Sequence, residues 1–345
     1  MSKIVGVDLF CGAGGLTRGL LDAGVSVLAG VDIEKSCRYA YEANNAAKFI
    51  AKDVTSLSSG ELLSMYDGAD IRLLAGCAPC QPFSTYSQGR DARKDKKWPL
   101  LYAFSRLIRE SQPHLVTMEN VPDVTKHAVY HDFVSTLKDY GYHVWADTIF
   151  CPDYGVPQTR KRHVLLASKF GPIEMLAKTH SPKNYQTVRE ALSQSNLSKL
   201  KAGEQSKVDR LHKAAGLSKL NQKRMRASKQ GGSWKDWPKS LVANCHKKQS
   251  GSTYRGVYSR MSWDAPAPTI TTQFFGFGNG RFGHPEEHRA ISLREGAIFQ
   301  TFPEWYVFAS PEEPIQLSTI GKMIGNAVPP LLGNVIGRSF VTHIK

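Results

Sequence analysis

The run Ala78-Pro79-Cys80-Gln81-Pro82-Phe83-Ser84 sets one cysteine between two prolines. It directly follows Ile71 to Ala78, an apolar stretch that reads as a buried strand. Prolines fix φ, so the thiol is aimed by stiff backbone at a strand's carboxyl end. That is a placement suited to nucleophilic chemistry. Cys77-Ala78-Pro79-Cys80 also has the CxxC spacing of a zinc or redox pair. The chain has no second CxxC or paired-histidine motif to complete a metal site, so no metal is expected.

The start of the chain supplies a second constellation. Ile4 to Phe10 reads as a buried parallel strand, Cys11-Gly12-Ala13-Gly14-Gly15 as a turn, and Leu16 to Ala23 as a helix. Strand, glycine turn and helix let backbone approach a nucleotide closely. Leu16 and Thr17 stand where a dinucleotide fingerprint has its third glycine, so a nucleoside site is expected before a pyrophosphate site. A second strand, Val25 to Val31, ends in Asp32, about twenty residues past the glycines, the spacing of a ribose hydroxyl contact. Asp53 could sit beside an adenine; either acid could instead cap a helix or turn.

Five runs then carry a resemblance. Asp8-Leu9-Phe10-Cys11-Gly12-Ala13-Gly14-Gly15, Pro79-Cys80-Gln81, Glu119-Asn120-Val121, Gln158-Thr159-Arg160-Lys161-Arg162 and Gly325-Asn326-Ala327-Val328 resemble the DNA (cytosine-5)-methyltransferase family of S-adenosylmethionine-dependent bacterial enzymes. They occur in the family's order. The resemblance runs from Val5 to Val335, leaving out only about Lys199 to Tyr258.

Cytosine C5 is a poor nucleophile until something adds at C6. The resemblance implies that Cys80 is the thiolate that adds there, after which C5 takes a methyl group from S-adenosylmethionine, leaving S-adenosylhomocysteine. Glu119 ends the apolar run Leu115 to Met118 and so stands at another strand end. Burial there would favour its protonated form and let it share a proton with N3. Asn120 and Val121 would hold it. Arg160 and Arg162 alternate on a strand-like segment that continues through His163 to Ala167, which predicts a shared face. They would hold target phosphate and brace the thiol and the cytosine carbonyl. For the cofactor, the resemblance implies Phe10, Gly12 and Gly14 as walls, Asp32 on the ribose, Ile33 on the adenine face and Asp53 on the exocyclic amine. Leu100 would line the adenine pocket, and Asn326 and Val328 would close the site.

Composition agrees with a polyanionic partner. The 345 residues carry a formal charge of +15. From Lys199 to Arg260 there are 16 Lys/Arg against 3 Asp/Glu, and the remainder is close to neutral. Trp234, Trp237, Tyr254 and Tyr258 are interleaved with those cations, a pattern suited to nucleic acid. In the resembled family this slot holds the target recognition domain. Ser84, Arg224, Arg226 and Arg255 are the candidate DNA contacts, the arginines because they pair bidentately with guanine. The run Arg289 to Glu295 looks like the block that organises that domain.

The elements that must position these residues follow. An α/β, doubly wound, Rossmann-like methyltransferase sheet is expected from 1–180 plus 315–345, with a smaller target recognition domain over 181–314. Ile324 to Gly337 reads as a helix with an apolar face, started near Asn326 and the Pro329-Pro330 pair. Gln81 to Pro99 is polar and charged and reads as a mobile loop able to close over an extruded base. The six cysteines suit a reducing compartment, and neither a secretory signal nor a membrane span is read, so a monomer acting on double-stranded DNA in a bacterial cytoplasm is expected. A cognate restriction endonuclease is a possible functional partner. Two other readings share the scaffold: a tRNA cytosine methyltransferase and a catalytically silent DNA-binding relative. The basic insert and Phe83-Ser84 favour duplex DNA over the first, and intact Cys80, Glu119, Arg160 and Arg162 argue against the second.

Overall fold

The computed structural model describes residues 3–79, 98–253 and 256–345, apart from the side chains of Trp98, Ser250 and Ser252. Cys80, Ser84, Tyr254, Arg255 and the expected loop up to Lys97 lie outside the described residues. The chain divides into two compact units. One comprises Met1–Tyr154, Lys161–Thr179 and Val328–Lys345, the other Gly155–Arg160 and His180–Ala327.

The first unit alternates strands and helices. In chain order they are β1 (Ile4–Leu9), α1 (Gly15–Asp22), β2 (Ser26–Asp32), α2 (Arg38–Asn44), β3 (Lys48–Ala51), α3 (Ser59–Ser64), β4 (Ile71–Gly76), α4 (Trp98–Ser111), β5 (Leu115–Asn120), α5 (Ala128–Asp139), β6 (His143–Phe150) and β7 (Lys161–Ser168). β1 and β5 are buried at every position, as strands covered on both faces must be. The seven strands are ordered β3-β2-β1-β4-β5-β7-β6. The first five pair in parallel, and β7 runs antiparallel to both its neighbours.

This order reverses direction between β1 and β4. Ligands of such sheets bind outside the carboxyl ends of the strands at that switch point. The register aligns those ends: Leu9 lies opposite both Val31 and Gly76, and Gly76 opposite Met118. Residues 10–14, Asp32, Cys77-Ala78-Pro79 and Glu119 therefore gather along one edge. Because β7 is antiparallel, its first residues reach that edge too, with Glu119 opposite Val164 and Asn120 opposite His163.

The last helix of the chain, Pro330–Ile344, also belongs to this unit and lies against α1. A Cβ at Gly19 would stand 2.2 Å from the Pro330 carbonyl oxygen, so this crossing needs the glycine. The single helix expected over 324–337 is instead two, Leu317–Asn326 and Pro330–Ile344. Two adjacent prolines explain the break. Pro329 disfavours helical backbone at Val328, while Pro330 is well placed as the first residue of the next helix.

The second unit contains no regular strand among the described residues, only short helices and isolated bridges. Buried side chains satisfy its backbone instead. The Arg260 guanidinium, 4% exposed, donates to the carbonyls of Met225, Ser228, His284 and Glu287. Arg289 forms a bidentate pair with Glu295 at 2.7 and 2.8 Å. Gln158 donates to the Phe299 carbonyl and to Gln300, and accepts from the Ile270 amide. No helix among the described residues is long and apolar enough to cross a membrane.

Candidate active site

The turn between β1 and α1 is built on unusual backbone. Phe10, Gly12 and Gly14 have φ of 58°, 51° and 88°. Left-handed backbone suits glycine and strains a phenylalanine, so Phe10 holds its conformation only because its surroundings fix it. Part of that fixing comes from Asp32. Its Oδ2 accepts the Gly12 amide at 2.8 Å and its Oδ1 the Glu34 amide at 2.8 Å. The carboxylate thus ties the end of β2 to the glycine turn. The next residue, Ile33, is 68% exposed, a large apolar side chain standing in the open beside a carboxylate. Asp53 Oδ1 accepts the Thr55 amide at 2.8 Å and caps a short turn, the structural role weighed for it. Leu100 is half-buried in the first turn of α4.

Beneath the turn lies a polar group that the motif contains but to which sequence reasoning gave no role. Asp8, 1% exposed, accepts the Thr17 hydroxyl on Oδ2 at 2.7 Å, and that hydroxyl is 3.1 Å from the Tyr41 hydroxyl. Its Oδ1 has no hydrogen-bond partner. Burial, reinforced by the Asp32 charge, pushes the Asp8 carboxyl up to about 7 against the Thr17 hydrogen bond. Burial, followed by the charges of Asp8 and Asp32, also pushes the Cys11 thiol well up. A thiol so disfavoured as thiolate is inert packing and no competitor for the nucleophile's role.

At the end of β5, Glu119 is 6% exposed and its Oε1 lies 2.8 Å from Arg162 Nε. Arg162 stands near the start of β7 and also donates to the Lys161 carbonyl. Asn120 Nδ2 donates to the Ala78 carbonyl at 3.3 Å, and its Oδ1 accepts the Val121 amide at 2.9 Å. Asn120 therefore fastens the end of β5 to the segment that leads into Cys80. The first unit thus brings together Phe10, Gly12, Gly14, Asp32, Ile33, Glu119 and Arg162 along the carboxyl edge of its sheet.

Other expected residues stand elsewhere. β7 begins at Lys161, so Arg160 precedes the strand and does not alternate with Arg162 along it. Arg160 is 1% exposed and donates to the Ile270 and Ala327 carbonyls within the second unit. Asn326, exposed, ends a helix of that unit, whereas Val328, buried, belongs to the first.

In the basic segment the two tryptophans are core. Trp234 and Trp237 are 6% and 5% exposed and cluster with Met225, Phe277 and Ala290. They were expected as part of a nucleic-acid surface; a strand-poor unit needs these large rings to build a core at all. Arg224 lies over the rings of Trp237 and Tyr258 at 5.4 and 5.5 Å and donates to the Leu241 carbonyl. Its guanidinium is engaged by its own unit, while Arg226, two residues on, is exposed.

A family model described as C-5 cytosine-specific DNA methylase matches residues 4–342. The chain is similar to the Type II methylase M.HgiDII of Herpetosiphon aurantiacus, 49% identical over 342 residues covering 98% of this chain and 95% of that protein. It is also similar to the Type II methyltransferase M1.HphI of Haemophilus parahaemolyticus, at 32% identity over 96% of this chain and 85% of the other. Among solved structures, the Entamoeba histolytica methyltransferase EhMeth shares the fold, with a TM-score of 0.71 and 13% identity over 100% of both chains.

Proposed function

Because the chain belongs to the C-5 cytosine-specific DNA methylase family, it is a DNA (cytosine-5)-methyltransferase, and we propose which of its residues carry the reaction. Members of this family use S-adenosylmethionine. The left-handed turn at 10–14, the Asp32 carboxylate held by two amides and the open face of Ile33 fit such a nucleoside group. Asp32 would take the ribose, Phe10 and Ile33 the adenine faces, and Asp53 and Leu100 the adenine edge; Gly12 and Gly14 admit the donor, and Val328 of the same unit closes over it. When bound, the cofactor supplies an electrophilic methyl group.

Cys80 adds as thiolate to C6 of an extruded cytosine, and Glu119 holds a proton at N3 while the ring carries the added electrons. Arg162 keeps the Glu119 carboxyl in place and supplies a cation where ring charge develops. Methylation of C5 is followed by loss of the C5 proton to a water molecule, return of the N3 proton to Glu119 and departure of the thiolate, which restores the aromatic ring and the free enzyme. The observation that supports this assignment best is the Glu119–Arg162 contact at the end of β5, fastened through Asn120 to the segment that delivers Cys80.

The second unit is assigned the reading of duplex DNA, with Arg160 bracing it from inside. Its relatives' names as Type II enzymes support a place in restriction–modification, in which methylation shields DNA from a cognate endonuclease. The test offers labelled donor with DNA and with tRNA, and DNA carrying 5-fluorocytosine. Methylation confined to DNA and a denaturant-resistant adduct, lost in Cys80→Ala, are expected. Turnover by Cys80→Ala, or label entering tRNA instead, overturns the assignment.

A further inference from the structure

The helix Lys219–Ala227 is two-sided in an uncommon way. Ser218 caps it, its hydroxyl accepting the Asn221 amide at 3.2 Å. Its one large apolar residue facing inward, Met225, is 0% exposed in the Trp234–Trp237–Phe277 cluster. Arg224 reaches round to the rings of Trp237 and Tyr258. On the far side stand Lys219, Lys223 and Arg226, all exposed. At 3.6 residues per turn these three fall within about 60° of arc, centred about 130° away from the buried Met225.

Like charges at i,i+4 oppose one another along a helix. None of the ion pairs among the described residues involves Lys219, Lys223 or Arg226. Each strongly basic neighbour turned inward has an assigned partner, as Arg224 and Arg260 show. A cationic ridge left without carboxylates, on a scaffold held from below, is complementary to a polyanion. From Lys219 to Arg226 the helix rises about 10 Å, within the roughly 12 Å width of the major groove of B-DNA.

The base of Arg226 is also stiff. Arg260 donates to the carbonyl of the preceding Met225 at 2.9 Å, and the Ser228 amide closes the helix onto the Arg224 carbonyl. A planar guanidinium on a fixed base suits bidentate contact with guanine, whereas the flexible ammonium groups of Lys219 and Lys223 suit phosphates.

We propose that this helix lies against duplex DNA, with Lys219 and Lys223 on phosphates and Arg226 on the edge of a guanine in the methylated site. The proposal rests on the second unit being the DNA-reading unit. Of the arginines expected from the sequence it keeps Arg226, drops Arg224, which its own unit already holds, and adds two lysines.

The test measures duplex binding against salt, and sequences methylated sites, for wild type, Lys219→Gln/Lys223→Gln and Arg226→Lys. Fluorescence of the buried Trp234 and Trp237 checks that the variants fold. The double variant should bind all duplexes more weakly, with a log–log salt slope shallower by about 2, close to 0.9 per phosphate contact. Arg226→Lys should keep wild-type affinity for unrelated DNA and lose roughly 10–100-fold discrimination at one base pair of the site. A folded double variant with the wild-type slope, or Arg226→Lys with an unchanged site, overturns the proposal while leaving the second unit as reader. Wild type whose site preference survives replacement of the whole unit by a relative's overturns both.

Discussion

Replacing Asp8 by Asn should remove a contribution that makes the first unit's stability fall as pH rises. Asp8 is fully enclosed, and its carboxyl is pushed up to about 7 from 3.8, by burial first. Between those values the folded chain holds a proton that the unfolded chain has released. Stability from this group is therefore complete below about pH 4 and is lost as pH rises toward 7. Three units correspond to about 4 kcal/mol at full effect, and between pH 5 and pH 8 to about 3 kcal/mol.

Asn is nearly isosteric with Asp and keeps an oxygen for the Thr17 hydroxyl, 2.7 Å away. Its amide group has no acceptor waiting, because Asp8 Oδ1 has no partner now. That defect costs a constant amount at every pH and leaves the slope untouched. Urea unfolding of both proteins at pH 5, 6, 7 and 8 gives the difference directly. Hydrogen exchange of peptides covering residues 4–22 assigns it to the β1–α1 region, and intrinsic exchange chemistry cancels at matched pH. The stability of Asp8→Asn relative to wild type should climb by up to about 3 kcal/mol from pH 5 to pH 8. A flat difference would show that Asp8 titrates as an ordinary carboxylate and that its burial is relieved in a way the packing does not reveal.

Two further outcomes follow from other parts of the molecule. Glu119→Gln should slow single-turnover methyl transfer by about 10²–10⁴-fold with little change in cofactor affinity by equilibrium dialysis; an unchanged rate removes Glu119 from base activation. Glu295→Gln should cost about 3 kcal/mol in urea, the low end for breaking a buried pair, because it takes the bidentate carboxylate from Arg289, 0% exposed, and leaves it only Glu287. Burial pushes the Glu295 carboxyl up, yet the Arg289 guanidinium overcomes this and holds it at about 2, so this stability is present above about pH 4.5 and is lost as pH falls through 2. Arg289→Leu/Glu295→Leu should cost less than Glu295→Gln alone, and a larger cost would mean that the pair is a net stabiliser.

What was legible in the sequence was local. The continuous apolar runs of β1, β4 and β5 announce strands buried on both faces, and the glycines announce the turn that follows β1. Asp32 and Glu119 could be placed at strand ends because each directly follows such a run. What was hidden depends on partners far along the chain. The raised Asp8 carboxyl needs Thr17 from α1 and Tyr41 from α2. The ion pair of Glu119 with Arg162 needs an antiparallel last strand, which β-strand periodicity does not announce. The helix start at the Pro329-Pro330 pair is legible, whereas the separate helix Leu317–Asn326 just before it is not, because the apolar stripe runs through both.

Charge was the feature most open to misreading, and the reason is structural. The excess of cations between Lys199 and Arg260 suggests a surface, yet part of it is interior scaffolding. A unit without regular strands leaves carbonyls that no ladder satisfies, and arginine is the side chain best equipped to gather several of them at once. Arg160, Arg260 and Arg224 all donate to main-chain oxygens of their own unit, and Arg260 alone takes four. Lysine carries the same charge without the planar fork, and Lys219 and Lys223 stay outside. Which cation faces a polyanion is therefore decided by side-chain geometry and by helix phase. Arg224 and Arg226 differ by two residues, about 200° of helix, and that angle separates a clamp on the aromatic core from a ridge facing outward.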